Sequence, residues 1–302
     1  MIIGFFTALL LIFGFSMLAY CYCNKLWDGI FVLLILLSFL FIIRQEWIAS
    51  ALSISLLLYS LLFAKRTSYT QLATFSMVGS IAFAFFLLNF FLNNQLSHPV
   101  AMIIFTLLLM CYLTIQGIFE DDLEKYLIIS SFIQTLFVLL DLTVASHRGG
   151  SIIALGTIQI FNYTFAGILL FLALGILSKD NRRIKITQLR GSNYRNPLIA
   201  ACAIVAALSL AGIPGLNMFV SEWLLFQKAF LISPVITIFG IFLALLLFIM
   251  YFKLVYVLSV SESKIKERSP LLLNVISVLL MVICIVLGLL PNLQYFILGL
   301  VG

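Results

Sequence analysis

The chain has 302 residues, of which 64% are hydrophobic and 9% charged, against about 25% charged in a soluble domain. That composition excludes a soluble globular enzyme and places the chain in a lipid bilayer. The formal net charge of +6 lies mainly in loops between apolar runs, which offers no basic face for nucleic acid.

Met1-Ile-Ile-Gly-Phe-Phe starts directly in an apolar run. It has neither a basic n-region nor a small-residue cleavage site, so it reads as a retained first helix. Apolar spans are expected at 2–23, 27–44, 46–64, 68–93, 99–119, 123–145, 150–178, 197–213, 215–231, 234–260 and 270–290. Each approaches the ~20 residues that cross a bilayer as a helix. The predicted fold class is therefore all-α, a polytopic transmembrane helix bundle of ten or eleven helices, one of them broken at Pro214. Five of the six prolines (Pro99, Pro197, Pro234, Pro270 and Pro291) fall where a helix begins or ends, positions that tolerate the missing N–H. Only Pro214 interrupts an apolar run.

The hydrophilic segments are short except for 179–195, which holds six basic residues and one acid. By the positive-inside rule this loop faces the cytoplasm or mitochondrial matrix. The loops at Lys25, Lys65-Arg66 and Glu120 to Lys125 then share its side, and those at Arg44 and Arg148 face the other. The side on which the C-terminal helices end depends on whether the Pro214 unit crosses once or twice. Cys21, Cys23, Cys111, Cys202 and Cys284 are scattered through apolar segments and read as small core residues. With two histidines far apart, no metal site is expected.

At Gly212-Ile-Pro214-Gly215 an apolar helix stops and then resumes with Glu222 inside its second half. Proline removes a donor and clashes with the preceding turn, and backbone groups freed in lipid need protein or a water-filled cavity to satisfy them. Two readings stand: a loop between two short helices, or an intramembrane ion site with Glu222 as proton carrier. Lys253 lies about two turns before its helix ends, and either snorkels to the interface or serves as a buried relay. Ser130 and Gln134, at i and i+4, share a helix face with room for a water chain or for ordinary interhelical hydrogen bonds. Asn162 offers a similar choice in the next helix. Asp141 is expected to reach the interface near the end of its span, and Glu46 opens the third span beside Arg44. The acidic group Glu120, Asp121, Asp122 and Glu124 suits a helix start.

Leu208-Ser-Leu-Ala-Gly-Ile-Pro-Gly-Leu-Asn-Met-Phe-Val-Ser-Glu222-Trp-Leu-Leu-Phe resembles the most recognisable stretch of the antiporter-like subunits of respiratory complex I. These are chains 2, 4 and 5 of NADH:quinone oxidoreductase, with relatives in Mrp antiporters and membrane-bound hydrogenases. Asp122-Leu-Glu-Lys-Tyr-Leu-Ile-Ile-Ser-Ser-Phe-Ile-Gln134, Phe165-Ala-Gly-Ile-Leu-Leu-Phe-Leu-Ala-Leu-Gly175, Tyr251-Phe-Lys-Leu-Val-Tyr256 and Val286-Leu-Gly-Leu-Leu-Pro-Asn292 resemble further family segments in the same order. The resemblance covers about residues 99–302. It implies two inverted half-channel repeats, each with a broken helix and an ionisable residue. Glu222 would take the second broken-helix site, as in chains of the subunit 4 type. Gly167 falls near a position where the family often has lysine. No Pro-broken helix appears between 65 and 120, so residues 1–98 are expected to be a rewritten remnant of the first repeat, with 99–302 as the second repeat and closing helices.

On this resemblance the chain is a membrane-arm subunit of proton-translocating NADH:quinone oxidoreductase, most like subunit 2 or 4. The alternatives are a degenerate structural subunit, or an ion-transport subunit of an Mrp-type or hydrogenase complex. Proton movement is assigned to Glu222, Lys253, Ser130, Gln134 and Asn162, with Glu46 as a further candidate. No cofactor is expected in this chain; NADH, flavin, iron-sulfur clusters and quinone would reside on partner subunits, which perform the redox chemistry. Other membrane-arm subunits and lipids are the expected partners, in a mitochondrial inner or bacterial cytoplasmic membrane.

Overall fold

Prolines set the starts of the helices. Pro99, Pro197, Pro234 and Pro291 each open one and Pro270 immediately precedes another, because the first turn has no intrahelical use for the missing N–H. The computed structural model describes residues 99–148, 152–178, 184–260 and 269–298, with nine helical residues between 79 and 91. Glu46 and, apart from those nine, the other residues of 1–98 lie outside the described residues.

In chain order the described helices are α1 (Pro99–Phe119), α2 (Leu123–Arg148), α3 (Ile152–Leu177), the short α4 (Ser192–Arg195), α5 (Pro197–Leu210), α6 (Asn217–Ile232), α7 (Pro234–Ser259), α8 (Leu271–Leu289) and the short α9 (Pro291–Leu298). Five of them (α1, α2, α3, α7 and α8) are long and apolar enough to cross a bilayer. The protein is an all-α polytopic bundle, as the apolar spans predict. α2, α3 and α5 form its centre. α5 buries Ala200, Cys202, Ala203, Ala206 and Ala207, and such small side chains let neighbouring backbones approach where lipid supplies no hydrophobic driving force. α1, α7 and α8 wrap this centre and turn rows such as Phe105, Leu108 and Tyr112, or Ile238, Phe242 and Leu245, outward. Ile81, Ala84, Leu87, Leu88 and Phe91 join the same core.

Residues 184–195 of the hydrophilic loop take up defined structure. Leu123 donates from its N–H to the Ile184 carbonyl (3.0 Å), and Ile186 donates to Asp121 (2.8 Å), so the loop is stitched antiparallel to the α1–α2 turn. A 3₁₀ turn at Ile186–Leu189 follows, with Ile186 and Leu189 buried. Gly191 N–H then bonds the Val260 carbonyl at 2.9 Å, and Asn196 Nδ2 bonds Ser269 Oγ at 2.9 Å. Residues near 121, 185, 191, 196, 260 and 269 therefore lie on one side. The chain leaves that side at 197 and returns to it at 260, and α7 alone is a full crossing. The α5–α6 unit must then cross once, and α8 ends on the opposite side.

Among the helix ends that depart from the expected spans, α5 stops at Leu210 rather than continuing to 213, and α2 runs on to Arg148 rather than ending at 145. Pro291 opens α9, a short helix beyond the last expected span.

Candidate functional site

The interruption is a built element. Ala211 closes α5, and Gly212 adopts φ +71°, a left-handed conformation that glycine enters without steric cost. Gly212 N–H bonds Ser209 O at 2.9 Å and Ile213 N–H bonds Leu208 O at 3.2 Å, the paired bonds of a Schellman cap. Ile213-Pro-Gly-Leu216 then turns, with Gly215 at φ +91° and Leu216 N–H on Ile213 O at 3.2 Å; proline second and glycine third is the type II pattern. Several of the carbonyls that Pro214 was expected to leave unpaired are thus paired by the turn itself. The Leu210 carbonyl is met by Gln134 Nε2 from α2, at 3.4 Å. The break lies about 21 Å along α5 from the basic-loop side, at 1.5 Å per residue.

Around it runs a buried polar row. Tyr126, Ser130 and Gln134 succeed one another at i+4 on α2 and so share a face. Ser130 Oγ lies 2.6 Å from Tyr251 Oη of α7, and either can donate. Gln134 Nε2 also donates to Tyr251 Oη at 3.4 Å, and Tyr126 Oη donates to the Met250 carbonyl at 3.2 Å. Hydroxyls both give and accept protons, whereas an amide nitrogen only donates. The Ser130–Tyr251 contact can therefore carry a proton in either direction, and Gln134 fixes the position of its neighbours.

Glu222, one and a half turns into α6, is 4% exposed. Its carboxylate lies against Gly212, so tightly that a Cβ at that position would overlap it. Gly212 thus supplies both the left-handed turn and the space for the carboxylate, and Glu222 Oε1 has no hydrogen-bond partner. Asp141 on α2 is fully buried, and neither of its oxygens is bonded. The expectation that it reaches the interface is corrected: α2 continues for seven residues beyond it, to Arg148, and Asp141 stays inside the bundle.

A second polar knot holds the start of α6. Ser209 Oγ donates to Asn217 Oδ1 at 2.5 Å, and Asn217 Nδ2 donates to the Asn162 carbonyl at 2.9 Å. Asn162 Nδ2 in turn donates to Gln294 Oε1 at 3.0 Å, and Gln294 Nε2 to Leu287 O at 2.9 Å. The structure therefore directs the Asn162 side chain toward the closing helices and not into the Ser130–Gln134 row. Asn217 and Gln294, both fully buried, were missed in the sequence. Asn217 opens the expected span 215–231 just after Pro-Gly, where a polar residue draws no notice, and Gln294 falls beyond the last predicted span.

Lys253 sits elsewhere. Its Nζ donates to the Ile118 and Glu120 carbonyls at 3.1 and 2.9 Å and to Asp121 Oδ1 at 2.8 Å. It thus closes the C-terminal end of α1, where cations favour the helix dipole. Being two residues from Tyr251 on α7, it points away from the Tyr251 face. The Lys253 ammonium beside Asp121 holds that carboxyl below the usual carboxylate value. Asp122 Oδ1 accepts from Glu124 N–H at 3.0 Å and Lys125 N–H at 3.3 Å, an N-cap for α2. Among the described residues, no three His, Cys, Asp or Glu side chains cluster to hold a metal.

Comparison with known proteins fits this architecture. Residues 69–248 match the family model for the NADH:quinone oxidoreductase/Mrp antiporter transmembrane region. A relative from Flavobacterium psychrophilum, NADH-quinone oxidoreductase subunit N, is 23% identical over 59% of this chain and 39% of its own length. Its counterpart from Acidobacterium capsulatum, subunit N 2, is 29% identical over 58% and 36%. The chain thus spans under half the length of these curated relatives. In the solved Mrp complex from Dietzia sp., one chain superposes with a TM-score of 0.65 over 94% of this chain and 66% of its own length, at 15% identity; that likeness is of fold. With the family model covering more than half its length, the chain belongs to the NADH:quinone oxidoreductase/Mrp antiporter transmembrane family.

Proposed function

We propose that this chain is an antiporter-like membrane-arm subunit of a multisubunit, proton-translocating complex of the NADH:quinone oxidoreductase kind, of the subunit 2 or 4 type. Residues 99–302 act as its proton-handling repeat. Glu222 is the proton carrier, loaded and unloaded by way of the Ser130, Tyr251 and Gln134 row beside the helix break. The single observation that carries this reading is the placement of Glu222: a buried carboxylate held against Gly212, the cap of α5 at the Pro214 break. An ionisable group kept in such a site at this cost is a functional one by default. Partner subunits would hold the NADH, flavin, iron-sulfur clusters and quinone, so the redox step lies outside this chain.

One observation favours a second reading, that of a brace which seals the arm without conducting. Among the described residues no lysine, arginine or histidine is buried. Glu222→Gln in the assembled complex separates the two. If Glu222 carries protons, the variant loses most of the proton translocation coupled to turnover while the complex still assembles. An unchanged proton-to-electron ratio selects the brace. The proteins that purify with the chain decide between this kind of complex and an Mrp-type or hydrogenase complex.

A further inference from the structure

Two buried carboxylates on facing helices, rather than one, mark the interior of this bundle. Asp141 is fully buried with both oxygens unbonded, and Glu222 is 4% exposed with Oε1 unbonded. α6 packs against α2, the helix that carries Asp141, and the Glu222 carboxylate lies near enough for its charge to act on Asp141. Among the described residues, the titratable groups buried on the helices around α6 are Glu124, at the start of α2, Tyr126 and Asp141 of α2, Tyr163 of α3, Cys202 of α5, Tyr251 of α7 and Cys284 of α8. Among the described residues none brings a positive charge. Two neighbouring carboxylates in low dielectric with no cation cannot both stay ionised, since each charge opposes the other and burial opposes both. At least one proton must therefore be held between them.

Position gives the pair a direction. Glu222 stands at the break, while Asp141 lies seven residues, or about 10 Å at 1.5 Å per residue, from the end of α2 opposite the basic loop. Gln134 and Asp141 are two turns apart on one face of α2, so the row that begins at Tyr126 and passes the break leads on to Asp141. Gln134 Oε1 is also buried and unbonded. The unsatisfied oxygens of Gln134, Glu222 and Asp141 are thus all acceptors distributed along one route.

We propose that Asp141 and Glu222 share protons as one carboxylate pair, with Asp141 the station between the helix break and the face opposite the basic loop. A proton leaves one carboxyl as the other carboxylate takes one up, so a single proton moves and charge balances at each step. The proposal rests on Glu222 being the proton carrier. The test is an infrared titration of the carboxyl bands in the chain purified with its native membrane partners and placed in proteoliposomes. In Asp141→Asn the titration midpoint of the Glu222 band moves by about one pH unit or more, the coupling at which two sites titrate as a pair. Asp141→Glu, which keeps the carboxyl, retains a coupled titration and rules out a merely structural effect of the amide. A Glu222 band with the same midpoint in the wild type and in Asp141→Asn overturns the pair. Proton translocation unchanged in Glu222→Gln, with the band shift intact, overturns the carrier role instead, so the two failures are distinct.

Discussion

Gly212 is the residue on which two requirements meet. It must sit at positive φ to cap α5, and it must lack a side chain because the Glu222 carboxylate occupies that space. Gly212→Ala should therefore destabilise the fold by at least the roughly 1–2 kcal/mol of a left-handed non-glycine residue, with the displaced carboxylate adding to it. A lower thermal midpoint in detergent is the expected result. Restoration by combining Gly212→Ala with Glu222→Ala would show that the overlap contributes. At this scale the sequence told much but not everything. Glu222 stood out because a carboxylate within an apolar run has few bland explanations. Asp141 did not, because a polar residue near the end of an apolar run looks interfacial until the helix is known to continue through His147. Asn217 gave no signal either: a helix-starting asparagine after Pro-Gly looks the same whether it faces solvent or ties α5 to α3.

Elements were more legible than contacts. The starts at Pro99, Pro197 and Pro234 were read directly, because proline acts locally on the chain. The stitched loop was harder to see. Its signal was present in the spacing of Ile184, Ile186 and Leu189 within a basic stretch, but pairing to residues 121–123 is a long-range event that periodicity does not encode. This latch has a predictable pH response. Asp121 is held below its unfolded value near 3.8 by the Lys253 ammonium. A depressed acid contributes stability that is complete above the unfolded value and is lost as pH falls through the folded one. The Asp121–Lys253 tie should accordingly be constant from neutral pH down to about pH 4 and fail only in stronger acid. Because both side chains are partly exposed, Asp121→Asn should cost no more than about 1 kcal/mol at neutral pH. Comparing the thermal midpoints of wild type and variant across pH would check both statements: the difference vanishes in acid.

At the scale of the molecule, the hydrogen bonds of the latch settle how the chain crosses the bilayer, a question the loop charges left open. Cysteines introduced at Thr187 and Ser233 should react with a membrane-impermeant maleimide from opposite sides of oriented vesicles. Labelling of both from one side would mean that the α5–α6 unit re-enters rather than crosses. The same map places the end of α8 beside the break. There, Gly288 comes so near the Gly215 carbonyl and Leu216 backbone that a single methyl at 288 would overlap them. Main chain thus bears on main chain, with no rotamer in between to yield. Side chains cushion most helix contacts, so a neighbour can shift by a few tenths of an ångström unnoticed. This one has no cushion. Any change of bend at Pro214 is handed directly to α8, and through the Asn162–Gln294–Leu287 bonds to α9, as the push of a rigid rod.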